Sequence, residues 1–166
     1  VIAFDADARR LPAWLETRPG ELWLCVNDAE ARYPITIDPF IQQAKLTAAD
    51  GAPGDFFGRS VALSRDGSTA LAGSLGTDVG GNVDQGAAYV FGRSGSFWTQ
   101  QAKLTAADGA ANDEFGCSAA LSRDGNIALI GAYFANVGGQ VNQGAAYIFT
   151  RSGDSWTQQA KLTASD

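Results

Sequence analysis

The run Gln-Ala-Lys-Leu-Thr-Ala-Ala-Asp-Gly stands at residues 43–51, returns unchanged at 101–109, and opens a third time at Gln159. Lys45, Lys103 and Lys161 are 103 − 45 = 58 and 161 − 103 = 58 positions apart. A fixed period of this length is the mark of a repeat architecture, in which each unit buries its apolar face only against its neighbours. The chain can therefore be read twice. Positions that agree between copies answer to the scaffold, and positions that differ are free to specialise.

Each copy holds four runs with strand character. Ser60–Ser64 matches Ser118–Ser122, and Thr69–Gly73 matches Ile127–Gly131. Between them stands Arg65-Asp66-Gly67, or Arg123-Asp124-Gly125. Asp-Gly between alternating runs is a hairpin signal, because glycine tolerates positive φ. The third run, Gly86–Phe91, matches Gly144–Phe149, and the fourth, Trp98–Thr105, matches Trp156–Thr163. The first two runs are rich in Ala, Ser and Gly, while the last two carry Tyr, Phe and Trp. Small residues near a crowded axis and large ones outside suit a radial blade. The fold expected is all-β: a partial propeller of two four-stranded antiparallel blades, residues 57–107 and 115–164, with an outer strand at 41–48 and a β-rich end of a preceding domain at 1–40. In that first stretch, 11–17 and 21–28 read as strands around Arg18-Pro19-Gly20, and 33–39 as a third between prolines.

Composition narrows the function. A net charge of −6 disfavours nucleic acid as a partner. No apolar stretch of about 18 residues is present to span a membrane as a helix. The absence of histidine removes the commonest general base and transition-metal ligand. No nucleophile–base pair, phosphate loop or metal-ligand cluster stands out, so the expectation is a protein without catalytic activity. Cys25 and Cys117 occupy unrelated contexts, and Cys117 replaces Arg59 of the first copy. Two buried free thiols are the favoured reading, with a Cys25–Cys117 bridge as the alternative. The chain has no methionine, even at position 1, and stops within its third copy. It reads as a piece of a longer protein that carries the remaining blades, and the piece alone is expected to expose sheet faces and edges.

Phe57-Gly58 and Phe115-Gly116 each precede a Ser-x-Ala-Leu-Ser strand, and each copy ends in Gly-Ala-Ala-Tyr-(Val/Ile)-Phe. With these motifs residues 41–166 resemble FG-GAP repeats, which build the seven-bladed propeller of integrin α-chains and of bacterial surface proteins. The resemblance implies an extracellular or cell-surface module that presents loops for protein or glycan binding and adhesion. A lectin-like or enzyme-appended propeller in a larger secreted protein, or a purely architectural repeat, is the alternative. Integrin-type repeats often carry an Asp-x-Asp-x-Asp-Gly calcium loop in the first hairpin. Here Ser64-Arg65-Asp66-Gly67 and Ser122-Arg123-Asp124-Gly125 stand in its place. A lone aspartate beside an arginine cannot supply the six to eight oxygens that calcium takes, so no cofactor is expected.

Two loops per copy share one end of a blade, since connections alternate ends in an up-and-down sheet. The loop from fourth to first strand keeps Asp50/Asp108 and Asp55/Asp113, read as turn-holding aspartates rather than a repeated cation or polar-ligand site. The loop from second to third strand is where the copies part: residues 74–78 face 132–136. Asp78, Tyr133, Phe134 and Asn136 are the candidate ligand residues, with packing between blades an equal alternative for the two aromatics. Trp98 and Trp156 recur and read as blade packing. Lys45-Leu46-Thr47 has no blade of its own, and in a full ring it is expected to complete the last blade.

Overall fold

The structure, a computed structural model, describes residues 1–38 and 43–165. It is all-β and divides into two compact units, Val1–Gln43 and Ala44–Asp166. In the first unit β1 (Ile2–Phe4) pairs antiparallel with β2 (Arg10–Leu11) on one side and β5 (Thr36–Asp38) on the other. A separate hairpin joins β3 (Ala13–Arg18) to β4 (Glu21–Val26). Its turn is closed by Gly20 at φ +78°, the Pro-Gly connection expected from sequence. The short β1 and β2 escape a sequence reading because two or three residues show no periodicity. Of the third expected strand, 36–38 is seen and Pro39 lies outside the described residues.

The second unit holds two sheets of four antiparallel strands. Blade 1 runs in sequence order through β6 (Phe57–Leu63), β7 (Thr69–Ser74), β8 (Ala87–Ser94) and β9 (Phe97–Leu104). Blade 2 follows with β10 (Ser118–Leu121), β11 (Ile127–Ala132), β12 (Ala145–Ser152) and β13 (Ser155–Leu162). Apart from the Phe57–Ser74 pair, which blade 2 lacks, the registers repeat residue for residue. Tyr89 stands opposite Lys103 and Tyr147 opposite Lys161, with a register shift after Val90 and after Ile148. The all-β class and its propeller-like blades are as the repeat pattern implies, although two blades close no ring.

Alternation gives each blade two apolar faces. Leu71, Ala88, Val90, Leu104 and Ala106 of blade 1 form one buried cluster with Phe115, Ala128, Ile130, Tyr147 and Phe149 of blade 2. The core thus lies between the sheets. At this seam Phe115 is fully buried and meets Tyr147 and Phe149 edge-on, at ring centroid distances of 5.5 and 6.0 Å. Gly116, at φ +93°, brings its backbone so close to blade 1 that a Cβ would stand 2.4 Å from the Ala87 carbonyl oxygen. The Ser60 hydroxyl donates to the Gly116 carbonyl at 2.8 Å, and the Arg65 amide to the Arg123 carbonyl at 3.1 Å. The Phe-Gly pair is therefore a device for closing one blade against the one before it.

The opposite face of blade 1 carries Ala72, Ala87, Tyr89 and Phe91, with Leu46, Ala48, Phe57 and Trp98 packed against them. Trp98 and its counterpart Trp156 both pack into blade cores, as their recurrence suggests. Residues 43–48 join no sheet among the described residues, and residues 41 and 42 of the expected strand 41–48 lie outside them.

Candidate functional site

The loops before the first strand and after the second strand lie at the same end of the blade and bond to each other. In blade 1 the Gly76 amide and the Ser74 hydroxyl both donate to the Asp55 carbonyl, at 3.1 and 2.9 Å. Between blades, the Asn112 and Glu114 amides donate to the Val83 and Asp84 carbonyls, at 2.8 and 3.1 Å. Asn82 Nδ2 adds a bond to the Gly109 carbonyl at 3.2 Å. These bonds stitch the loops of the two blades into one continuous surface.

The repeated aspartates divide into two roles. Asp55 and Asp113 are buried, and each accepts from the amide three residues earlier, Ala52 or Ala110, at 2.8 Å. They hold turns, as the sequence suggests. Asp50 and Asp108 do not. Each pairs instead with the lysine of the outer strand that follows: Lys103 Nζ to Asp50 Oδ2 and Lys161 Nζ to Asp108 Oδ2, both at 2.6 Å. Each ammonium also sits over the ring of its cross-strand tyrosine, 5.6 Å from the Tyr89 centroid and 5.5 Å from that of Tyr147. The Lys103 ammonium bonded to Asp50 holds that carboxyl below its ordinary pKa. Burial alone would raise Asp108, but Lys161, with help from Tyr147, pulls it below the ordinary value. Sequence reading missed these ion pairs, although the invariant Lys-Leu-Thr-Ala-Ala-Asp run contains both charges. One repeat's Asp serves the next repeat's Lys, which only the offset of the fold reveals.

In the hairpins, Asp66 is occupied by its own turn. Its Oδ1 accepts from the Ser64 hydroxyl at 2.6 Å and from the Ser68 amide and hydroxyl at 3.0 and 2.9 Å. These bonds, that from Ser64 foremost, lower its pKa to about 2. Asp124 accepts from Ser122 and the Asn126 amide in the same way. Among the described residues no cluster of three or more acidic, cysteine or histidine side chains is placed to hold a metal ion.

Against this repeated frame the second loops differ. Blade 1 has a cleft of about 260 Å³ lined by Asp50, Asp55, Thr77, Asp78, Asp84 and Lys103 among others. Asp78 is exposed, and its Oδ1 accepts from the Asp84 amide at 2.9 Å. Asn136 makes the matching bond to the Asn142 amide, also at 2.9 Å. The backbone job is thus the same while two carboxylates become two amides. The larger change lies two residues earlier. Gly76 is tucked so tightly against the first loop that a Cβ would stand 2.3 Å from the Gly54 carbonyl oxygen. Phe134 occupies that position in blade 2, where no side chain larger than hydrogen could keep such an approach. It turns outward beside Tyr133, the ring centroids 4.1 Å apart. Tyr133 is 48% and Phe134 37% exposed. The Tyr133 hydroxyl donates to Glu114 Oε2, a bond that raises the tyrosine's pKa. The four sequence-derived candidates therefore fall on one loop surface in two groups: Asp78 at an acidic cleft of blade 1, and Tyr133, Phe134 and Asn136 at an aromatic patch of blade 2. Asp84, Glu114 and Lys103 join them. Their part is hidden in sequence, because it arises from contacts between loops.

Cys25 and Cys117 are both free thiols and half-buried rather than fully buried.

The model of the FG-GAP repeat family matches residues 40–91 and 98–149, more than half of the chain. This chain is an FG-GAP repeat protein. The two matches start 98 − 40 = 58 residues apart, and the second begins in β9, the outer strand of blade 1. One sequence repeat of the family therefore comprises the outer strand of one blade and the three inner strands of the next. Comparison with curated proteins finds no match.

Proposed function

We propose that this FG-GAP protein is a non-catalytic interaction module, extracellular or on a cell surface, that presents its loop surface to a protein or glycan ligand. One observation carries the reading. On a frame whose ion pairs and turn-holding bonds repeat, the side chains at a single surface differ: an acidic cleft at Asp78 and Asp84 in blade 1, an exposed aromatic pair at Tyr133 and Phe134 in blade 2. Rigid scaffolds carry recognition in such loops, and exposed aromatics anchored by a polar partner are favoured contact residues. An aromatic face next to a carboxylate, Tyr133 and Phe134 beside Glu114, also suits the apolar face and hydroxyls of a pyranose, which supports a glycan ligand.

The test is to probe the immobilised chain against a glycan array and a panel of secreted and surface proteins. A ligand found this way is expected to lose at least about tenfold in affinity in the Tyr133→Ala/Phe134→Ala double variant. Capture of nothing on either panel, or a ligand indifferent both to that variant and to Asp78→Ala/Asp84→Ala, counts against the proposal. It would favour an architectural repeat or a propeller appended to an enzyme.

A further inference from the structure

The hairpins between first and second strands lie at the end of each blade opposite the loop surface, and each carries an arginine at the same place, Arg65 and Arg123. The seam holds these hairpins side by side. The Arg65 amide donates to the Arg123 carbonyl at 3.1 Å, and Gly125 is buried so close to blade 1 that a Cβ would stand 2.9 Å from Thr69 Oγ1. Both arginine side chains are exposed. Neither pairs with an acid among the described residues, unlike Arg9, Arg18 and Arg32 of the first unit. Arg93 and Arg151, at the same end, are engaged: Arg93 lies 6.0 Å from the Trp98 ring centroid, and Arg151 donates to the Gly153 carbonyl and to Thr69.

The aspartate beside each free arginine is held by its own turn. Asp66 Oδ1 accepts from Ser64 and Ser68, and Asp124 accepts from Ser122 and, through both oxygens, from Asn126. These bonds keep both carboxylates ionised, with lowered pKa values. The two guanidinium groups line one open cleft of about 780 Å³ together with Asp66, Ser122, Asp124 and Ile127.

We infer that this cleft is a docking site for an acidic polypeptide segment, whose two carboxylate side chains each take the fork of one arginine while an apolar side chain between them rests on Ile127. The lining selects that occupant. A guanidinium presents its donors in a plane that matches the two oxygens of a carboxylate. The charges of the cleft balance, two arginines against two aspartates, so a dense polyanion meets repulsion as well as attraction. A sparsely charged segment places its carboxylates on the arginines alone. Ile127, 46% exposed, gives an aliphatic side chain something to cover.

The test is titration of the isotope-labelled chain with the peptide acetyl-Glu-Leu-Glu-amide, followed by NMR at the arginine Nε–Hε signals and the backbone amides. Saturable shifts are expected at Arg65 and Arg123 and in residues 123–127, and none with acetyl-Gln-Leu-Gln-amide. Arg65→Ala or Arg123→Ala should weaken binding about threefold and the double variant about tenfold, since each exposed ion pair contributes modestly. Arg65→Lys/Arg123→Lys keeps the charge and loses the fork, and should recover less than half of that loss. Tyr133→Ala/Phe134→Ala should leave the titration unchanged, because the loop surface lies at the other end of the blades. The inference is overturned by the absence of saturable shifts at the two arginines, by equal shifts with the glutamine peptide, or by full affinity in the double lysine variant. Shifts with a uronate or sulfated oligosaccharide but not with the peptide overturn it as well.

Discussion

Phe57-Gly58 and Phe115-Gly116 are the same dipeptide at the same place in the same repeat, and they live in different surroundings. Phe115 is fully buried and Gly116 is pressed against the backbone of blade 1. Phe57 is half-buried, and nothing stands within 4 Å of where a Gly58 Cβ would be. Gly58 and Gly116 share a left-handed backbone, at φ +85° and +93°. The conformation thus belongs to the repeat itself, while the burial belongs to the neighbour. An FG-GAP unit carries half of a seam, and the unit before it carries the other half.

The largest expected effect is on the seam's aromatic. Phe115→Ala should cost about 3–5 kcal/mol in urea unfolding, as for a fully buried phenylalanine. Phe57→Ala should cost less than half of that, because part of its ring is already in water. Equal losses would break the distinction between the two ends. Next come the ion pairs. Lys161→Ala should cost about 0.5–1 kcal/mol, since both partners keep some solvent contact. Lys45→Ala should cost almost nothing, as Lys45 is exposed and pairs with no acid among the described residues.

The same pairs set the pH response. Asp50 and Asp108 have lowered pKa values in the fold, so their contribution is complete above the ordinary value of 3.8 and is lost as pH falls through the lowered values. Lys103 and Lys161 are raised, for although burial lowers each, the bonded aspartate more than compensates. Their contribution is complete below the ordinary 10.5 and is lost above it. Unfolding midpoints should therefore be flat between about pH 4 and pH 10 and fall on both sides, and the fall should shrink in a Lys103→Ala/Lys161→Ala variant. The effect at the loops is small too. Tyr133→Ala/Phe134→Ala should change stability by no more than about 0.5 kcal/mol, because both rings are exposed. A larger loss would make them packing residues rather than contact residues.

Much of this comparison could be read before any coordinates. Strands β6 to β13, the Asp-Gly hairpins and the paired loops follow from the strand-like runs and the turns between them, and the repeat checks each assignment twice. The short strands of the first unit carry no such signal. At the site, disagreement between copies singled out residues 74–78 and 132–136, but not what the differences do. That Gly76 lets two loops touch and Phe134 forbids it depends on a carbonyl contributed by Gly54, remote in the pattern. That Asp50 serves Lys103 depends on the offset between the sequence repeat and the blade.

The claim that the Phe-Gly pair is half of a seam is tested most directly by Gly116→Ala against Gly58→Ala in thermal or urea unfolding. Both substitutions carry the same backbone strain at positive φ, about 1–2 kcal/mol. Only the first places a Cβ against Ala87 O at 2.4 Å and Ser74 N at 3.0 Å. Gly116→Ala should therefore destabilise by about 2 kcal/mol more than Gly58→Ala. Equal destabilisation by the two substitutions would contradict the seam.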